Sequence, residues 1–189
     1  MNHRSRAVRT LTLACIAVTG AVGSTVPRPA SAASAAELAR ESGAALNQLY
    51  ARTASARVLG QKAKGILVFP AIYKAGFMFG GQIGEGALRK NGRAVAYYNS
   101  VAASYGFQAG IQKFGYALFF MNDAALEQLD DTHGFELGVG PSVVIVDEGM
   151  GKSITSNTIT SDVYAFIFDQ KGLMAGVGIQ GSKITRIDK

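Results

Sequence analysis

The sequence predicts an α+β chain, mainly antiparallel β: a curved, glycine-rich sheet closing into a barrel or sandwich, with N-terminal helices and one short internal helix. Three observations predict it. Ala, Glu, Leu, Arg and Gln dominate residues 35–62, where apolar positions recur at helical spacing. From Gly65 onward the pattern changes to short apolar runs punctuated by Gly, Asn and Asp. Many of the 23 glycines lie inside those runs, where glycine marks bulges, strong coiling or close backbone approach.

Residues 1–32 read as a signal peptide. Arg4, Arg6 and Arg9 precede a short apolar core from Leu11 to Val22, and Ala30-Ser31-Ala32 supplies the small residues of a cleavage site. That core is shorter than the ~20 residues a spanning helix needs. Cleavage after Ala32 leaves one domain, residues 33–189, exported to the periplasm or secreted. Cys15 is the only cysteine. Thr12, three positions before it, does not match the aliphatic residue of a lipobox, so a lipoprotein is not expected. The mature chain then lacks the thiols for disulfide, metal or redox chemistry.

Within 35–62, Leu38, Ala45, Leu46 and Leu49 share one side of a helix. Gly43 and Gly60 weaken a continuous helix, which predicts two helices with a bend near Thr53. Strands are expected at Ile66–Phe69, Ala94–Tyr98, Ala102–Ile111, Gly115–Met121, Val143–Val146, Asp162–Phe168 and Leu173–Gln180. Ile66–Phe69 and Val143–Val146 are apolar on both faces, as buried strands are. Turns are expected at Lys90-Asn91-Gly92, Asp147-Glu148-Gly149 and Asp169-Gln170-Lys171-Gly172. Residues 123–131 suggest the short helix, capped by Asn122 or Asp123. Gly-x-x-x-Gly recurs at Gly76/Gly80, Gly106/Gly110 and Gly172/Gly176, a weak hint of an internal repeat.

Charge narrows the partners. The whole chain carries +6, but residues 1–32 contribute four arginines and no acid, so the mature chain is near neutral and nucleic acid is not expected. The remaining cations gather early. Residues 37–74 contain Arg40, Arg52, Arg57, Lys62, Lys64 and Lys74 against Glu37 and Glu41.

No motif carries catalysis, and no metal or cofactor is expected. Gly149-Met150-Gly151-Lys152-Ser153 resembles the end of a phosphate loop, but Val146 stands where its first glycine belongs and no helix follows. Gly81-Gln82-Ile83-Gly84-Glu85-Gly86 has the wrong glycine order for a dinucleotide loop and reads as a bulged β-turn. His133 is the one histidine after residue 32. Between Asp131 and Gly134 it reads as a solvated helix-end residue, and no nucleophile elbow accompanies it.

The order of motifs resembles the SYLF domain family. The likeness begins at Lys62-Ala63-Lys64-Gly65-Ile66-Leu67-Val68-Phe69-Pro70, Lys74-Ala75-Gly76-Phe77 and Gly84-Glu85-Gly86. It continues through Tyr97-Tyr98-Asn99, residues 103–110, Phe119-Phe120-Met121 and Gly138-Val139-Gly140. It ends with residues 171–176 and Gly181-Ser182-Lys183-Ile184-Thr185. The resemblance implies a non-enzymatic module that binds phosphoinositides or other anionic lipids, partly through an N-terminal amphipathic helix. Residues 35–64 occupy the place of that helix. Some relatives bind actin, which an exported chain would not meet, so actin enters as an inherited family label.

The leading expectation is peripheral association with an anionic phospholipid surface. Arg52, Arg57, Lys62, Lys64 and Lys74 form its basic side, and Leu38, Leu46 and Leu49 its apolar side. The alternative is a structural or protein-interaction module of the envelope whose basic face meets an acidic protein. An outer-membrane barrel is disfavoured because Val143–Val146 does not alternate and the C-terminus lacks a closing aromatic.

Overall fold

The computed structural model describes residues 33–77, 79–105, 110–130, 134–136, 141–146, 154, 159–172 and 181–189. All belong to one unit, Ala33–Lys189. The signal peptide with Cys15, the strand at 173–180, His133, the turn at 147–149 and the loop at 149–153 lie outside the described residues.

Two helices open the unit, α1 (Ala35–Arg52) and α2 (Ala54–Lys62). Ser34 caps the first, its Oγ accepting from the Glu37 N–H at 3.2 Å. Thr53 separates them in an extended conformation, at the bend the sequence predicts. The two interrupting glycines have physical reasons. A Cβ at Gly43 would stand 3.2 Å from Arg89 Nη2, and one at Gly60 would meet the Tyr50 phenol.

Eight strands form one sheet in the order β5-β8-β3-β2-β1-β4-β7-β6. They are β1 (Gly65–Phe77), β2 (Phe79–Lys90), β3 (Arg93–Tyr105), β4 (Gly110–Phe120), β5 (Phe135–Glu136), β6 (Val143–Val146), β7 (Val163–Gly172) and β8 (Lys183–Ile187). Pairing is antiparallel except between β6 and β7. The sheet curls into a half-barrel. Phe120 of β4 meets Phe135 of β5 at 5.8 Å although four strands lie between them. Among the described residues β5 and β6 do not pair, so the curl stays open.

Several local expectations are corrected. Residues 81–86 are not a turn but the middle of β2, and the bulge lies opposite, in β1 between Val68 and Ala71. Pro70 sits there because it has no N–H to give the ladder. Residues 169–172 continue β7; Asp169, at φ 51°, takes up a register shift against β4. The span 102–111 is divided between β3 and β4, which are not neighbours. Val143–Val146 is an edge strand, only partly buried, with Ile145 exposed. By contrast Asn91 and Gly92, both at positive φ, form the expected turn between β2 and β3. Asn122 caps the short helix α3 (Asp123–Glu127), accepting from Ala125 N–H at 2.8 Å.

The sheet buries both faces over half its height. Its concave side holds Leu67, Phe69, Ile72, Phe114, Tyr116, Leu118 and Phe120, closed by Leu126, Leu129 and Phe135. On the convex side Leu46, Leu49, Ala56 and Leu59 of the helices pack on Ile66, Val68, Phe119 and Phe166. Each fully buried large side chain contributes roughly 1.5–3 kcal/mol.

Candidate functional site

The helices leave a basic cleft where they cross the β2–β3 turn. It has a volume of about 390 Å³ and takes Asn47 and Tyr50 from α1, Lys64 from the segment before β1, and Arg89 and Lys90 from the end of β2. Three cations line it and no carboxylate does. The Arg89 guanidinium forms its floor, donating to the Ala39 carbonyl at 2.8 Å, Ser42 Oγ at 3.1 Å and the Gly92 carbonyl at 2.5 Å. Gly43 leaves room for that guanidinium. Burial pushes the Tyr50 phenol up, and the Arg89 charge partly offsets this. Lys64 and Lys90 are exposed at the mouth. Lys64 lies 3.6 Å from Asp123, an exposed pair that holds it weakly. Such a cleft can accept an anionic group with Arg89 beneath and two exposed ammonium groups above.

The sequence-predicted basic residues do not share one face. Lys64 enters the cleft. Arg52 points to the sheet and pairs with Asp169 at 2.6 Å. Arg57 folds back, donating to the Tyr50 carbonyl at 2.7 Å. Lys62 is exposed at the end of α2. Lys74 is displaced furthest: it lies in β1 on the concave side, only 6% exposed, between Gln82 and Gln112 of the flanking strands. It cannot belong to a helix-borne basic surface.

The apolar side is corrected as well. Leu38, Leu46 and Leu49 are all buried. Leu46 and Leu49 are core of the helix–sheet contact, so in this fold they do not face a bilayer. Amphipathic periodicity reports that a helix has an apolar partner, and here the partner is its own sheet.

Arg89 and Lys90 were missed. Leu88-Arg89-Lys90-Asn91-Gly92-Arg93 is a visible cationic turn in the sequence, yet only the packing of α1 over β2 turns it toward Lys64. Among the described residues no cluster of His, Cys, Asp or Glu could hold a metal ion. No helix among them is long and apolar enough to cross a membrane, which leaves spanning by strands unaddressed.

Comparison with curated proteins yields no match. Residues 101–189 match the family model Ysc84, described as "Las17-binding protein actin regulator". The match runs from the second half of β3 to the C-terminus and includes the motifs at 119–121 and 181–185. This match over residues 101–189 is consistent with a member of the Ysc84, or SYLF-domain, family.

Proposed function

We propose that this protein is a non-enzymatic lipid-binding domain that associates peripherally with anionic phospholipid at an envelope membrane. In this reading it is exported and cleaved after Ala32, and the Lys64–Arg89–Lys90 cleft receives a lipid phosphate. The observation that carries the proposal is a cleft lined by three cations and no carboxylate. Each basic residue near an anionic surface contributes about 1 kcal/mol, so the cleft gives weak, salt-sensitive binding. This relocates the basic surface from the helices to their junction with the β2–β3 turn.

The test is co-sedimentation of the purified protein with neutral and anionic phosphatidylglycerol-containing vesicles at low and high salt. Binding to anionic vesicles alone, weakened by salt and at least tenfold by Lys64→Glu/Lys90→Glu, supports the proposal. Absence of binding to either vesicle sinks it. The description of the matched family, which names Las17 binding and actin regulation, favours a second reading, a protein-interaction module, and that outcome would leave it standing.

A further inference from the structure

The sheet changes polarity along its height. Near the helices both faces are apolar and buried. Beyond Ile72 and Phe114, toward the β1–β2 hairpin, the concave side becomes polar: Gln82, Lys74 and Gln112 stand side by side in register on β2, β1 and β4, all buried. Gln82 Nε2 donates to Ser182 Oγ at 2.6 Å, while Gln112 Oε1 has no hydrogen-bond partner. The convex side of the same strands is apolar and open. Val101, Ile83 and Tyr73 form one cross-strand row, 44%, 58% and 52% exposed, with Ile111 at 71% two residues further toward the hairpin end on the same face. The helices, which cover Ile66 and Val68 on this face, do not cover these residues.

A water-soluble sheet that leaves one face open places its polar side chains there. Here the alternation is reversed, apolar outside and polar inside, which is the pattern of strands whose outer face meets lipid. Cations flank the row on both sides, and on the β8 side Lys183 in turn pairs in register with the exposed Glu136 of β5. Lys183 pairs with Val101 in register, Lys113 pairs with Tyr73, and Lys171 pairs with Lys113; all three lysines are exposed. Lys113 Nζ lies 5.3 Å over the Tyr73 ring. An apolar centre carrying a tyrosine and flanked by lysines complements an anionic bilayer, whose interface accepts aromatic rings and whose headgroups attract ammonium groups.

We infer that the uncovered half of the convex face, centred on Tyr73, Ile83, Val101 and Ile111, enters the interfacial layer of an anionic bilayer while Lys113, Lys171 and Lys183 engage its headgroups. The inference rests on the membrane reading above and assigns a surface that the basic cleft does not include. The sheet lies against the bilayer in this arrangement and does not span it.

The chain contains no tryptophan, so single tryptophans report position directly. Tyr73→Trp and Ile83→Trp, each in the full-length protein, would be titrated with phosphatidylglycerol-containing vesicles with and without brominated acyl chains. Val95→Trp, an exposed site near the β2–β3 turn, serves as the comparison. The expected result is a blue shift and bromine quenching at 73 and 83 but not at 95. Ile83→Ser/Ile111→Ser should weaken vesicle partitioning by roughly tenfold without changing the melting temperature downward, since both side chains are exposed. Vesicle binding with no shift or quenching at 73 and 83 overturns the inference and leaves the membrane reading intact. No sedimentation of the unsubstituted protein with any vesicle overturns both.

Discussion

The Arg89 guanidinium donates to the Ala39 carbonyl at 2.8 Å and so ties the end of β2 to the first helix. The same group reaches Ser42 and the Gly92 carbonyl, linking helix, strand and turn through one cation. Arg89→Met keeps much of the stem but removes these charge-assisted bonds. It should lower unfolding stability by about 1–3 kcal/mol in urea titration. An unchanged midpoint would show that the helix docks without the clamp.

Leu49 provides the corresponding test of the helix face. It packs with Ala56, Leu59 and Phe119 in the helix–sheet core. Leu49→Ala should cost about 2–5 kcal/mol, read by thermal or urea unfolding. Vesicle partitioning of the molecules that remain folded should not change. A loss of binding without a loss of stability would return Leu49 to a membrane-facing role.

Glycine in β2 separates sites of close approach from open ones. A Cβ at Gly86 would stand 2.7 Å from the Val68 carbonyl oxygen and 2.7 Å from Phe69 Cδ1, beside the β1 bulge. A Cβ at Gly81 would meet only the Ala102 carbonyl at 3.7 Å, an ordinary contact. Gly86→Ala should destabilise by roughly 1–3 kcal/mol, and Gly81→Ala should be neutral or slightly stabilising. Equal effects in urea unfolding would contradict this geometry.

Asp162 sets part of the acid response. Its carboxylate accepts from Ser142 N–H and Oγ at 3.0 Å each and from Asn122 Nδ2 at 2.7 Å. These bonds, the Ser142 backbone N–H foremost, hold its pKa below the usual carboxylate range. A lowered folded-state pKa gives stability that is present above the unfolded-state value and is lost as pH falls through the folded-state value. Stability should therefore decline at acid pH, and Asp162→Asn should flatten that limb in melting curves taken from neutral to acid pH. An identical acid limb in the variant would assign the effect to other carboxylates.

Much of the fold was legible in local pattern. The bend at Thr53, the Asn91-Gly92 turn and the Asn122 cap each depend on chemistry within a few residues, and the sequence displays it. The candidate site was legible only in part. Lys64 was visible as a cation, whereas its partners Arg89 and Lys90 lie well over twenty residues away and join it through the packing of α1 on β2. The apolar stripe Leu38–Leu46–Leu49 was read correctly as a stripe, but periodicity does not say whether lipid or protein covers it.

The residues of β1 mark the division most clearly. By itself the sequence determined that Ile66–Phe69 form an apolar strand, because a short run of apolar, β-favouring side chains is a local property. Only the tertiary structure decided that Lys74 turns inward between Gln82 and Gln112 while Tyr73 turns outward beside Ile83. The bulge between Val68 and Ala71 resets which side chains face the core, and register with two other strands sets their neighbours. Those are long-range pairings, and no local pattern encodes them.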